Sequence, residues 1–154
     1  MEEYYLRILC LHGFLGRASD FDFLKKDYEV IAPELSEYVS MQFDELLSSF
    51  RECYLNEVDI ILGYSFGARL GSRLIFETKL DIPMICLAGH GGLKTSSEKK
   101  ERIKFEKEII KKLGEQTETE FLRDWNNYGI FSHDQPVIDG NFKNAVLYFK
   151  NYGL

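Results

Sequence analysis

The fold of this chain is decided by residues 58–67, which read VDIILGYSFG. An apolar run ends there in the pattern Gly-x-Ser-x-Gly, and residues 68–75 continue with apolar side chains at helical spacing. A strand that turns abruptly into a helix at a serine leaves the hydroxyl free at the helix N-terminus, where the helix dipole favours developing negative charge. The pattern predicts a nucleophilic Ser65; the alternative is an ordinary turn in which Ser65 only caps the helix.

Three more apolar runs predict strands, over residues 4–11, 28–32 and 84–88. They are nearly continuous rather than alternating, which is typical of parallel strands covered by helices on both faces. Helical spacing lies between the runs, for example over residues 43–50. The alternation of strand and helix predicts an α/β fold with a mostly parallel sheet and flanking helices.

The character of the chain changes after residue 92, where no further strand pattern follows. Thr95 and Glu98 have the spacing of a capping box, and Gly114 is expected to end the helix that begins there. Three helices are predicted, over residues 95–113, 118–125 and 141–152. Three helices without a strand between them favour a core over residues 1–92 and a helical cap over residues 93–154.

Composition limits the classes of partner and site. The 154 residues carry a formal net charge of −6 with no long basic run, which argues against nucleic acid and anionic membranes as partners. Cys10, Cys53 and Cys86 are isolated, so neither a metal nor another cofactor is expected, and Cys10 and Cys86 are expected to be buried in apolar runs. The acidic start differs from a signal peptide and no apolar stretch approaches a membrane span, so a cytoplasmic location is expected.

Residues 11–16, which read LHGFLG, follow the first predicted strand. An oxyanion is stabilised by two backbone N–H groups that point at one position. Phe66, the residue after the serine, is expected to supply one of them, and Phe14 the other. His12 is expected to be a structural histidine whose ring points into the turn, not the catalytic base.

The segments LHGFLG and GYSFGARL resemble the α/β-hydrolase superfamily, here with a truncated core. The chain also resembles one subfamily, the 2-succinyl-6-hydroxy-2,4-cyclohexadiene-1-carboxylate synthases of the menaquinone pathway. That likeness is carried by residues 89–93 (GHGGL), by Glu101 and Arg102, and by residues 121–131, which include Asp124 and Trp125. The family shows a GGHPGL-type segment where this chain has AGHGGL, and DWYQ where this chain has DWNN.

The resemblance implies a lyase in which a serine-based triad starts a proton abstraction that expels pyruvate from a succinyl-cyclohexene-carboxylate. Such a substrate carries several carboxylates, so the resemblance implies arginines in the pocket, and Arg69 and Arg102 stand at matching positions. Tyr64 and Trp125 are expected to form pocket wall. Simpler interpretations stay open, with the arginines on a helix surface and the aromatic residues in ordinary core packing.

A serine of this kind needs a histidine that takes its proton and an acid that orients the histidine. In the superfamily both follow the cap, whereas Leu154 is expected to lie within it. His90, directly after the strand at residues 84–88, and His133, beside Asp134, are possible bases. The chain is therefore expected to be truncated, to be a short relative without the chemistry, or to receive the missing groups from a second copy.

Three functions follow from these expectations. The first is the lyase, the second is a small-ester or thioester hydrolase on the same fold, and the third is a catalytically inactive fragment or binding module. A small carboxylate-bearing molecule is the expected substrate. Truncation would also expose a sheet edge, so a homo-oligomer formed through that open edge is expected.

Overall fold

A computed structural model describes residues 5–128 and 136–153. Its sheet contains four strands, β1 (Arg7–Leu11), β2 (Glu29–Ile31), β3 (Ile60–Tyr64) and β4 (Met84–Leu87). The strand order is β2-β1-β3-β4, and every neighbouring pair is parallel. The four predicted strands and the parallel α/β architecture are confirmed.

The described part of the chain forms six α-helices: α1 (Leu35–Tyr38), α2 (Phe43–Phe50), α3 (Phe66–Thr78), α4 (Ser96–Glu115), α5 (Glu118–Asn126) and α6 (Ala145–Tyr152). A 3-10 helix (Ala18–Leu24) follows β1, and a short π-helix (Arg51–Leu55) extends α2. None of these described helices is long and apolar enough to cross a membrane.

Strand β1 lies in the middle of the sheet and is covered on both faces. Leu9 and Leu11 belong to the large apolar core, whereas Ile8 and Cys10 point to the other face, where Phe21 of the 3-10 helix covers them. Burial raises the pKa of the Cys10 thiol to about 11, as expected for an inert, buried cysteine. The nearly continuous apolar sequence of β1 follows from this two-sided burial.

Strand β4 ends the described sheet and is much more open than its sequence predicts. Ile85 and Leu87 are 44% and 45% exposed, and Cys86 is also exposed. The expected burial of Cys86 is therefore wrong. Strand β4 pairs with β3 on one side, and no described strand lies on its other side.

The capping box that begins α4 is confirmed. Thr95 Oγ1 accepts the Glu98 N–H at 3.1 Å, and Glu98 Oε2 accepts the Thr95 N–H at 2.9 Å. The predicted stop at Gly114 is wrong, because α4 runs on to Glu115 and Gln116 is its C-cap. The next residue, Thr117, is already the N-cap of α5, so the start of α5 determines where α4 ends.

The C-terminal segment is pinned to the chain around α1. Its helix begins at Ala145 rather than at residue 141, because Asn144 has a left-handed backbone with φ 58°. Hydrogen bonds of 2.8 Å run from Asn144 Nδ2 to the Ser36 carbonyl, from Asn151 Nδ2 to the Val39 carbonyl, and from the Tyr152 hydroxyl to the Met41 carbonyl. These contacts fix α6 beside the site, and one apolar core includes α4, α5, α6 and the sheet. The boundary between core and cap at residues 92 and 93 stays a prediction.

Candidate active site

The turn between β3 and α3 holds Ser65 in a strained backbone conformation. Its φ of 51° and ψ of −108° are unusual for a residue with a side chain, and such a conformation costs about 1–3 kcal/mol. The Ser65 N–H donates to the Leu87 carbonyl at 2.8 Å, and the Ser65 carbonyl accepts the Arg69 N–H at 3.2 Å. The tight turn at Ser65, here called the elbow, is thus hydrogen-bonded both to the end of β4 and to the first turn of α3.

Both glycines of the Gly-x-Ser-x-Gly pattern lie where a side chain has no room. A Cβ atom at Gly63 would be 2.6 Å from Ala68 Cα, and one at Gly67 would be 2.0 Å from the Leu11 carbonyl oxygen. The glycines therefore allow α3 to pack directly on the ends of β1 and β3. This close approach distinguishes the turn from one in which serine is only an N-cap; Ser65 makes no capping hydrogen bond with its side chain.

The loop after β1 lies directly against this elbow. A methyl group at Gly13 would be 3.3 Å from Ser65 Cβ and 2.9 Å from Tyr64 Cδ1. The loop is closed by a 3.1 Å hydrogen bond from the Gly16 N–H to the Gly13 carbonyl. Phe14 and Phe66 are consequently neighbours of one cavity, which Ser65 also lines. Their role as oxyanion donors stays a prediction.

His12 is buried in the loop, and its ring nitrogens contact the loop itself and the chain at Glu34 and Leu35, as expected for a structural histidine. It is only 1% exposed, its Nδ1 lies 2.8 Å from the Gly13 carbonyl, and its Nε2 lies 2.9 Å from both Glu34 Oε1 and the Leu35 nitrogen. Both ring nitrogens are occupied, so His12 has no nitrogen left for the Ser65 hydroxyl. Burial acts to raise the pKa of Glu34, but hydrogen bonds from Ala18 and Ser36 and the nearby His12 leave it below its usual value.

A cavity of about 450 Å³ opens over Ser65. It brings together most of the side chains that the sequence singles out: Phe14, Tyr64, Ser65, Phe66, Arg69, His90, Arg102 and Trp125. Further lining comes from Gly89 of the GHGGL segment and from residues that the sequence does not single out: Ala88, Phe105, Val137, Tyr148 and Phe149. The predicted site residues therefore meet in one place, although they come from both ends of the chain.

Arg69 and Arg102 reach the cavity from α3 and α4. Arg102 is held by Glu106, with 2.6 Å between Arg102 Nε and Glu106 Oε1. Within the described residues, Arg69 forms no ion pair or hydrogen bond through its side chain, and its guanidinium lies 5.7 Å from the Phe66 ring centroid. Burial lowers the pKa of Arg69 and the charge of Arg102 lowers it further, while Glu106 raises it. An arginine stays protonated nonetheless, so Arg69 brings to the cavity a positive charge that no carboxylate within residues 5–128 and 136–153 pairs with.

His90 lines the cavity from the loop after β4. Its Nδ1 accepts the Gly92 N–H at 3.1 Å. A neutral His90 in this arrangement carries its proton on Nε2, which then donates and cannot take a proton from Ser65. The geometry therefore favours His90 as a hydrogen-bond donor to a ligand over His90 as the general base. His133, the other possible base, lies outside the described residues.

Aromatic side chains form one wall of the cavity, centred on Phe14. Its ring centroid lies 5.1 Å from that of Trp125, 5.6 Å from that of Tyr148 and 4.9 Å from that of Phe149. Tyr148 also packs on Phe66 at 4.9 Å, and burial raises the pKa of its phenol. The sequence feature that points to Tyr148 and Phe149 is the apolar spacing of the last helix. That spacing predicts that one face of the helix is buried, but not which part of the protein that face packs against. Trp125 lines the cavity and also packs in the apolar core, so the pocket-wall and the core-packing interpretations both describe it.

No group of three or more His, Cys, Asp or Glu side chains within residues 5–128 and 136–153 is arranged to hold a metal ion. The described residues that line the cavity contribute as polar groups a serine, two arginines, two tyrosines, a histidine and the indole N–H of a tryptophan. Cations of this kind bind carboxylate or phosphate oxygens, and the hydroxyl supplies a nucleophile or proton carrier. The cavity can therefore bind an organic anion against aromatic rings, next to Ser65.

No protein-family model and no curated protein sequence matches this chain. Solved structures do match. MenH from S. aureus aligns over 98% of this chain and 67% of its own, with a TM-score of 0.74 and 20% sequence identity. An esterase from a marine microorganism aligns over 97% and 68%, with a TM-score of 0.58 and 17% identity. An α/β-hydrolase family protein from Desulfitobacterium hafniense aligns over 97% and 68%, with a TM-score of 0.52 and 13% identity.

These likenesses show the fold. The chain has an α/β-hydrolase fold and spans about two thirds of the length of each of the three proteins. At 20% identity or less, the shared fold does not by itself fix the reaction.

Proposed function

We propose that this chain carries the serine and the arginines of an α/β-hydrolase-fold lyase that eliminates pyruvate from a succinyl-cyclohexene-carboxylate in menaquinone biosynthesis. The observation that carries this proposal is Arg69, a charged side chain that forms no ion pair with any residue the structure describes, in the same cavity as Ser65 and Arg102. The fold likeness to MenH and the sequence resemblance in residues 89–131 support the same reaction.

Each residue has a role in this proposal that its position allows. Arg69 and Arg102 bind substrate carboxylate, and the aromatic wall packs against the ring of the substrate. A base, acting with Ser65, removes a proton from a substrate carbon, and the electron pair left behind forms a double bond and expels the leaving group as the enolate of pyruvate. The enolate becomes pyruvate by taking up a proton, which regenerates the base. The N–H groups of Phe14 and Phe66 would stabilise the negative charge that develops on a substrate oxygen. His90, with a protonated Nε2, would donate a hydrogen bond to the substrate.

The reactivity of Ser65 is tested with a fluorophosphonate probe followed by mass spectrometry of the labelled peptide. The chain alone is expected to be inactive where the triad acid and histidine are missing, so an adduct on Ser65 is expected only where a base is in reach, for example from a second copy. The Ser65→Ala variant is expected to remain unlabelled and to keep its fold by circular dichroism. A folded wild-type protein without any adduct would support the third function, a catalytically inactive fragment or binding module.

A small-ester or thioester hydrolase is the second candidate, and the fold likeness to the marine esterase favours it. Pyruvate release from the succinyl-cyclohexene substrate and cleavage of p-nitrophenyl acetate separate the two. For the lyase, Arg69→Met should lower kcat/KM for pyruvate release by roughly tenfold to a hundredfold, which corresponds to one lost charge-assisted hydrogen bond. Cleavage of the uncharged ester should change by less than about twofold. Ester cleavage without pyruvate release would establish the hydrolase instead.

The proposal needs no metal or other cofactor, since the roles above fall on side chains and backbone N–H groups. The proposed location is the cytoplasm. Cys10, Cys53 and Cys86 are free thiols, as is usual in a reducing compartment.

A further inference from the structure

Helix α4 carries a buried carboxylate behind the arginines of the cavity. Glu106 is 3% exposed and lies one helical turn after Arg102. Its Oε1 accepts from Arg102 Nε at 2.6 Å, and its Oε2 faces the end of α6, where a methyl group at Gly153 would be 2.5 Å away. Burying a carboxylate is costly unless it is paired and hydrogen-bonded, so this position is unusual for a residue on a charge-rich helix.

Arg69 and Arg102 bring two positive charges to the part of the cavity that they line, here called the arginine end. Among the described carboxylates, Glu106 is the one that pairs with Arg102. The three groups influence one another, since both Arg102 and Glu106 shift the pKa of Arg69, in opposite directions. Glu106 occupies the Nε atom of Arg102. The terminal nitrogens of Arg102 make no hydrogen bond within the described residues, so the edge that binds a carboxylate with two parallel hydrogen bonds stays available.

We propose that Glu106 is a positioning and selectivity residue: it orients the Arg102 guanidinium toward the cavity and cancels one of the two positive charges, so that the arginine end of the cavity accepts one carboxylate and disfavours a second beside it. This inference rests on the proposed function, because it assumes that the arginines bind a ligand carboxylate. Beyond the proposed function, it specifies how many ligand carboxylates the arginine end of the cavity accepts, namely one.

The test measures binding of benzoate, with one carboxylate on an aromatic ring, and of phthalate, with two adjacent carboxylates on the same ring. Trp125 is the single tryptophan of the chain and lines the cavity, so its fluorescence reports both ligands. The wild-type protein is expected to bind benzoate more tightly than phthalate. In Glu106→Gln, the amide oxygen still accepts from Arg102 but the negative charge is gone. The ratio of the two affinities should therefore shift toward phthalate by roughly tenfold.

Two further variants separate charge from position. Glu101→Gln removes an exposed carboxylate from the same helix and should leave the ratio as in the wild type. Glu106→Asp keeps the charge but shortens the side chain, so Arg102 loses its support: both ligands should bind more weakly at an unchanged ratio. An unchanged ratio in folded Glu106→Gln, or an equal shift in Glu101→Gln, would overturn the inference.

If Glu106→Gln does not fold, the double variant Arg102→Gln, Glu106→Gln keeps the test available. It replaces the ion pair with two amides and leaves the net charge of the cavity unchanged, so the ratio should stay as in the wild type while both ligands bind more weakly. A ratio shifted toward phthalate would contradict the charge argument. Arg69→Met tests the underlying site: if it does not weaken benzoate binding, the carboxylate site of the proposed function fails, and not only the role of Glu106.

Discussion

Strands β1 and β4 flank β3, the strand that leads to Ser65, and have similar apolar sequences, RILCL and MICL, yet they differ in burial. All but the first residue of β1 are buried, whereas none of β4 is. Strand β1 has a parallel neighbour on each side and apolar cover on both faces, and β4 has a described neighbour on one side only. The burial of a strand is thus set by its neighbours as much as by its own sequence.

The loops that follow these two strands repeat the contrast. Each contains a glycine beside a histidine and each contacts the elbow at Ser65 or the cavity above it. His12, after β1, is enclosed and bonded through both ring nitrogens, whereas His90, after β4, is exposed and bonded through Nδ1. The β1 side therefore provides the fixed scaffold of the site, and the β4 side is where groups from elsewhere can approach.

The largest effect is expected where the elbow packs on β1. Gly67→Ala should lower the free energy of unfolding by about 3 kcal/mol, because the added methyl group overlaps the Leu11 backbone and α3 must move away. Urea unfolding followed by circular dichroism measures it. The control is Gly114→Ala in α4, where a methyl group meets no atom within 4 Å. It should raise stability by about 0.5–1 kcal/mol through helix propensity. Equal effects of the two variants would show that the tight packing at Gly67 is not real.

A smaller difference is expected between the two histidines. His12→Ala should cost about 2–3 kcal/mol of unfolding free energy, because it leaves the Leu35 N–H without its acceptor and the Gly13 carbonyl without its donor. His90→Ala should change stability by less than about 0.5 kcal/mol, as is usual for an exposed loop residue. The same urea titrations compare them. A destabilisation by His90→Ala as large as that by His12→Ala would remove the distinction between a fixed and an open side of the site.

Substitutions on β4, the open edge of the described sheet, are expected to change the free energy of unfolding least, by less than about 0.5 kcal/mol. They should instead change the oligomeric state of the protein. We expect the wild-type protein to sediment as a dimer or larger assembly, through the exposed apolar side chains of β4. Ile85→Lys should shift it toward the monomer. Phe23→Lys is the matched control, since Phe23 is an exposed apolar residue, 67% accessible, on the 3-10 helix that covers the other side of the sheet. A wild-type monomer at all concentrations in sedimentation velocity would contradict the proposed role of this edge.

Several features of the fold and the site were predictable because they depend on local chemistry. The glycines at 63 and 67 and the serine between them require a cramped turn, and the capping box at Thr95 and Glu98 is satisfied by backbone groups three residues apart. The predictions at Gly114 and Cys86 are wrong for a common reason. Where α4 ends depends on the cap of α5, and whether Cys86 is buried depends on what lies beside β4; neither is encoded at the residue itself.

The sequence by itself determined the order of strands and helices, the elbow at Ser65 and the loop that faces it, because each depends on backbone geometry that only certain residue types permit. The tertiary structure alone decided that Tyr148 and Phe149 close the cavity and that the Glu106 carboxylate stands behind Arg102. Those contacts join residues that are distant in the chain or lie on a helix rich in similar charges. These contacts form only because of where the helices pack, and the packing of each helix depends on the whole core.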